Sequence, residues 1–75
     1  MDSDHYVKTL IGKISRAMGS DLAQYVFEDS ELTLYFKFPL EARDRGPLKF
    51  IIREHMPKCR IKLNLKKGII KATLP

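Results

Sequence analysis

The first pattern of hydrophobic positions along the chain has helical spacing. Hydrophobic residues recur every three or four positions over residues 7–18, at Val7, Leu10, Ile11, Ile14 and Met18. Ser3 precedes the pattern as a suitable N-cap, and Gly19 follows it at a position where glycine commonly ends a helix. The pattern therefore predicts a helix that begins near Ser3 and ends at Gly19.

Residues 22–38 show the alternation that is typical of a β-hairpin. The first arm contains the strand-favouring residues Tyr25, Val26 and Phe27, and a polar turn follows at residues 28–30. In the second arm, Leu32, Leu34, Phe36 and Phe38 alternate with Glu31, Thr33, Tyr35 and Lys37, and Pro39 ends the strand. The segment 21–27 is also compatible with a helix, and the sequence leaves that alternative open.

A second helical pattern follows the polar connector at residues 41–46. Its hydrophobic face is formed by Leu48, Ile51, Ile52 and His55, at spacings of three, four and seven. Pro47 occupies a position where proline is favoured, in the first helical turn, and Pro57 ends the helix near Met56. A helix of about ten residues needs packing against the rest of the protein to be stable.

The end of the chain predicts a second hairpin. Cys59, Ile61, Leu63 and Leu65 alternate with Lys58, Arg60, Lys62 and Asn64, and Ile70, Ala72 and Leu74 alternate with Ile69, Lys71 and Thr73. Between these arms lies Lys66-Lys67-Gly68, a turn in which the glycine can adopt a positive φ.

The resulting element order, α-β-β-α-β-β, predicts an α+β fold. Two helix–hairpin units would form a four-stranded, mainly antiparallel sheet with both helices packed on one face. With 75 residues, we expect one compact domain that spans residues 1–75. Because so short a chain buries a thin core, a homodimer is a reasonable expectation.

Positive charge is concentrated in the last third of the chain. Residues 1–46 contain six Lys/Arg and eight Asp/Glu, whereas residues 47–75 contain eight Lys/Arg and one acid, Glu54. Such an asymmetry indicates contact with nucleic acid or a membrane surface, although a solvated face that keeps a small protein soluble would also explain it.

The placement of these cations favours nucleic acid. Side chains two apart on a strand share a face, so Lys58, Arg60 and Lys62 are expected to line up on the side of the sheet that the helices leave free. Phosphate backbones are bound by Lys and Arg, with weak sequence specificity, and aromatic rings can stack on bases. The predicted contacts with DNA or RNA are Lys58, Arg60, Lys62, Lys66, Lys67 and Lys71, with Lys37 and Tyr35 at the edge.

A secondary contact and one alternative function accompany this hypothesis. The connector Arg43-Asp44-Arg45-Gly46 precedes a helix N-terminus, so Arg43 and Arg45 are candidates for a secondary phosphate contact. The protein is otherwise interpreted as an interaction module or small regulator that docks on an acidic protein partner or pairs with a second copy through exposed strand edges.

Catalysis, metals, cofactors and membranes receive no support from the sequence. It contains no Ser/His/Asp set, P-loop or dinucleotide fingerprint, and no Cys/His cluster, so we expect neither an enzyme nor a metal or cofactor site. A single Cys59 and an acidic N-terminus favour a cytoplasmic, reducing location over secretion. No hydrophobic run approaches the roughly 18 residues that a bilayer requires.

Overall fold

The computed structural model describes residues 2–19 and 21–75, with side chains for residues 5–19 and 21–75. Its elements, in chain order, are α1 (Asp2–Met18), β1 (Leu22–Glu28), β2 (Glu31–Phe36), a 3₁₀ turn (Ala42–Asp44), α2 (Arg45–His55), β3 (Arg60–Asn64) and β4 (Ile69–Thr73). The predicted α+β fold is confirmed, and the helical alternative for residues 21–27 is wrong, because Leu22–Glu28 is a strand. The side chain of the expected N-cap, Ser3, lies outside the described residues.

The four strands form one antiparallel sheet in the order β1-β2-β4-β3. Each hairpin supplies one pair of neighbouring strands, and the long-range pairing of β2 with β4 joins the hairpins. That central pairing aligns Leu34 with Ile70 and Thr33 with Lys71. β2 and β4 are therefore central, while β1 and β3 are the two edges of the sheet.

Alternate strand residues and both helices contribute to one hydrophobic core. The core includes Leu32, Leu34 and Phe36 of β2, Ile70 and Ala72 of β4, Val7, Leu10 and Ile14 of α1, and Leu48 and Ile52 of α2. Every buried hydrophobic side chain among the described residues belongs to this cluster. We call the side of the sheet that carries Leu34 and Ile70 the inner face, and the side that carries the alternating residues the outer face.

Two tight turns shape the strand ends. Asp29 and Ser30 both have positive φ, 50° and 63°, which is the geometry of a two-residue type I′ hairpin turn. Gly68 has φ of 66°, and a Cβ built on it would lie 2.6 Å from the carbonyl oxygen of Phe38. Glycine is therefore required at position 68 for both its backbone angle and its close contact.

Two strands end earlier than the alternation predicts. β2 was expected to reach Phe38, but it ends at Phe36, whose N–H donates to the carbonyl of Gly68 over 2.8 Å. Beyond that bond β4 offers no further residue for pairing, and Phe38 is 63% exposed rather than inward-facing. Lys58 was expected on β3, but that strand begins at Arg60.

Candidate nucleic-acid interface

The strand register places the outer face in three rows of four residues. The rows are Gln24–Tyr35–Ile69–Asn64, Val26–Thr33–Lys71–Lys62 and Glu28–Glu31–Thr73–Arg60, each running across β1, β2, β4 and β3. Positive charge therefore lies on β3 and β4, and negative charge lies at one end of β1 and β2.

Three of the predicted cationic contacts share this face. Arg60 and Lys62 are two residues apart on β3, and Lys62 is directly opposite Lys71 on β4. Cross-strand neighbours have Cβ atoms about 5 Å apart, so the two ammonium groups repel each other. All three side chains are exposed. An anion placed between them would relieve that repulsion.

The β3–β4 turn extends the positive charge. Lys66 and Lys67 are both exposed there, and the Lys67 N–H donates to Asn64 Oδ1 over 3.2 Å, which ties the turn to the end of β3. An open depression connects the turn to the outer face, and it is lined by Lys62, Leu63, Asn64, Lys67, Ile69 and Lys71. We name the five cations Arg60, Lys62, Lys66, Lys67 and Lys71 the basic strip.

None of the described acidic side chains of the first half forms an ion pair with the basic strip. The one ion pair among the described side chains joins Arg43 to Glu41, with 2.6 Å between Nε and Oε2. Glu31, on the same face, instead accepts a hydrogen bond from the hydroxyl of Thr73 over 3.2 Å. Among the described side chains, therefore, no carboxylate lies within ion-pair distance of the basic strip.

Tyr35 and Lys37, predicted at the edge of the interface, occupy different environments. Tyr35 is half-buried on the outer face, between Gln24 and Ile69 in its row. Lys37 is exposed but follows the end of β2, where its N–H donates to the carbonyl of Asp21 over 2.7 Å. Tyr35 thus belongs to the outer face, and Lys37 lies beyond its end.

Lys58 does not continue the row of cations along β3. Its φ of 64° places it in a left-handed conformation in the turn that follows α2, two residues before β3 begins. The alternation of hydrophobic and polar residues extends back to Lys58, but strand pairing with β4 does not, because the register starts at Arg60 opposite Thr73. The prediction that three cations share this strand is therefore wrong for Lys58.

The connector before α2 is internally compensated. Arg43 is paired with Glu41, and the carboxylate of Asp44 accepts the Glu41 N–H over 3.0 Å. Arg45 is exposed and is the first residue of α2. Two acids thus accompany the two arginines proposed as a secondary phosphate contact, which reduces the attraction of this loop for an anion.

The outer face has an acidic corner, which the sequence predicted only in part. Glu28 and Glu31 are opposite each other across the β1–β2 turn, with Asp29 between them. The alternation of β2 places Glu31 on the same side as Thr33 and Tyr35, but the position of Glu28 opposite Glu31 follows only from the pairing of β1 with β2. An anion on the outer face would therefore be favoured on the side formed by β3 and β4 over the acidic corner.

The described residues include no cluster of three or more His, Cys, Asp or Glu side chains that could hold a metal ion. Cys59 is a buried free cysteine, and burial raises the pKa of its thiol, although the nearby charge of Arg53 opposes that effect. His55 Nδ1 lies 3.2 Å from the carbonyl oxygen of Ile51, within its own helix.

Comparisons with protein-family models, with curated proteins and with solved structures give no match for this chain. In the described part of the chain, neither helix has the length and hydrophobicity needed to cross a bilayer. A functional proposal for this chain therefore rests on the geometry of the outer face and of the β3–β4 turn.

Proposed function

We propose that the protein is a small nucleic-acid-binding accessory domain whose basic strip binds the phosphate backbone. The interaction is mainly electrostatic and weakly sequence-specific. The observation that carries the proposal is the direct pairing of Lys62 with Lys71 beside exposed Arg60, with no carboxylate partner among the described side chains. Like charges at facing strand positions cost stability, and a bound polyanion would offset that cost at Lys62 and Lys71.

The arrangement of neighbouring side chains supports a ligand that lies along β3 and β4. Asn64 and Tyr35 provide amide and aromatic groups in the row next to Lys62 and Lys71. Such groups contact bases or sugars while cations hold phosphates. The proposal includes a reducing intracellular location, in which the buried Cys59 remains a thiol.

The test compares two triple variants that remove equal charge from different surfaces. One variant changes Arg60, Lys62 and Lys71 to Gln. The matched control changes Lys8, Lys13 and Arg16 to Gln, which are all exposed on α1. Binding of labelled single- and double-stranded DNA and RNA is measured by fluorescence anisotropy at several salt concentrations.

The proposal predicts a loss of binding in the outer-face variant. Each phosphate contact contributes about 0.7–0.9 to the slope of log K against log salt, so removing three contacts lowers the slope by about 2–3. The α1 variant should keep the wild-type slope. Equal losses in the two variants would mean that only net charge matters, and the absence of binding at low salt would refute the proposal.

The second candidate function is docking on an acidic protein partner, which the same basic strip would fit. The two candidate functions use the same surface of the protein and differ only in the ligand that binds there. The second function replaces the first if two results are obtained. Labelled nucleic acids must fail to bind the wild-type protein at low salt. An acidic polypeptide such as polyglutamate must bind the wild-type protein but not the variant in which Arg60, Lys62 and Lys71 are changed to Gln.

A further inference from the structure

The two edges of the sheet differ in how they are protected from pairing with another strand. Edge strands expose unpaired backbone groups, and proteins commonly protect them with Lys, Pro or bulges. β3 carries Arg60 and Lys62, whereas β1, with the sequence LAQYVFE, has no cation and no proline. Its one irregularity, a register shift between Leu22 and Gln24, leaves residues 24–28 regularly paired with β2.

The hairpin geometry identifies the free backbone groups of β1. In a two-residue hairpin the closing pair, here Glu28 and Glu31, is hydrogen-bonded, and hydrogen-bonded pairs then alternate along the ladder. Val26 and Gln24 therefore bond to β2. Tyr25 and Phe27 direct their N–H and C=O groups away from β2, toward the open edge.

We propose that β1 pairs antiparallel with β1 of a second copy of this chain, around a two-fold axis at Val26. In this register Tyr25 of each copy pairs with Phe27 of the other, and all four free N–H groups and their carbonyls find partners. The two Val26 side chains meet on the outer face. The proposal does not depend on nucleic-acid binding.

The side chains of residues 24–28 are self-complementary in this register. The amide of Gln24 lies opposite the carboxylate of Glu28, so no like charges face each other. Tyr25 and Phe27 form cross-strand aromatic pairs on the inner face, where Tyr25 is 39% exposed in the single chain. Phe27 already packs edge-on against Tyr6 of α1, with ring centroids 6.5 Å apart, so its orientation is set before pairing.

A symmetric β1–β1 contact is favoured over pairing of β1 with β3 of another copy. The symmetric contact closes at two chains, whereas a β1–β3 contact leaves one edge of each type free and continues into a filament.

Two single substitutions that add the same charge to β1 test the proposal. Val26→Lys places two ammonium groups face to face on the two-fold axis, so we expect at least a tenfold weaker dimer. Gln24→Lys places the new cation opposite Glu28 of the second copy, so the dimer should be retained or strengthened. Mass is measured by sedimentation equilibrium over a range of concentrations, and circular dichroism verifies the fold of each variant.

The expected result is a wild-type mass that approaches twice the 8.7 kDa of one chain as concentration rises. Amide exchange of Tyr25 and Phe27 should slow over the same range of concentrations. A wild-type protein that remains monomeric at millimolar concentration would overturn the proposal. Mass that grows beyond two chains, or equal effects of the two lysine substitutions, would also contradict it.

Discussion

Replacing Gly68 with alanine is expected to destabilise the protein far more than the same change at Gly19. Both glycines have φ of 66°, so both substitutions force alanine into the left-handed region at a cost of about 1–2 kcal/mol. At position 68 the new Cβ would also lie 2.6 Å from the carbonyl oxygen of Phe38 and 3.4 Å from Cβ of Phe36. At position 19 no described atom lies within 4 Å.

The contact at Gly68 cannot relax easily because the backbone there is bonded on two sides. The Gly68 carbonyl accepts the Phe36 N–H over 2.8 Å, and the Gly68 N–H donates to Leu65 over 3.2 Å. Crowding of this kind costs roughly 1–3 kcal/mol in addition to the cost of placing alanine in the left-handed region. Gly68→Ala should therefore lower the free energy of unfolding by about 2–5 kcal/mol, and Gly19→Ala by about 1–2 kcal/mol.

Urea denaturation followed by far-ultraviolet circular dichroism measures both changes. Each 1 kcal/mol corresponds to about 4–8 °C in Tm for a domain of this size, so thermal melts should separate the two variants clearly. Because the backbone angle and the substitution are the same, the difference between the variants isolates the contact with Phe38. Equal destabilisation of the two variants would refute this account of the β3–β4 turn.

Two further changes test other parts of the fold. Ser30 has φ of 63°, so Ser30→Gly should relieve the strain of a left-handed backbone. The free energy of unfolding, measured by urea denaturation, should rise by about 0.5–1 kcal/mol. A loss of stability would contradict the assignment of a type I′ turn. Cys59 should react slowly with a thiol reagent in the native protein and rapidly in urea, because the side chain is buried and burial raises the pKa of its thiol. Because the pKa of the thiol is higher in the folded than in the unfolded state, its contribution to stability is complete below the unfolded pKa and is lost as pH rises through the folded pKa. The free energy of unfolding should therefore fall more steeply at alkaline pH in wild type than in Cys59→Ala.

Local patterns predicted the elements of this fold well because alternation and helical spacing reflect burial directly. Leu32, Leu34 and Phe36 are buried as expected, and Gly19 and Gly68 adopt the positive φ expected of a helix end and a turn. The strand ends were harder to predict, because they depend on where the neighbouring strand stops. Phe38 continues the alternation of β2, yet it has no partner beyond Gly68 and is exposed.

The composition of the outer face could be predicted only in part. Each hairpin alone predicts which side chains share a face, and Arg60, Lys62 and Lys71 do share one. Their neighbours depend on the pairing of β2 with β4, which joins residues about forty positions apart and brings Thr33 and Tyr35 beside Lys71 and Ile69. The left-handed backbone of Lys58 carries no sequence signal of the kind that glycine provides.

Mapping of a bound oligonucleotide by nuclear magnetic resonance tests the central claim most directly. The isotope-labelled protein is titrated with a short single-stranded and a short double-stranded oligonucleotide at low salt, and amide shifts are followed residue by residue. The account predicts that the largest shifts cluster on β3, β4 and the turn that contains Lys66 and Lys67, and that β1 and the acidic turn at Asp29 are little affected. Shifts that cluster on the helices, or that are absent at saturating ligand, would contradict it.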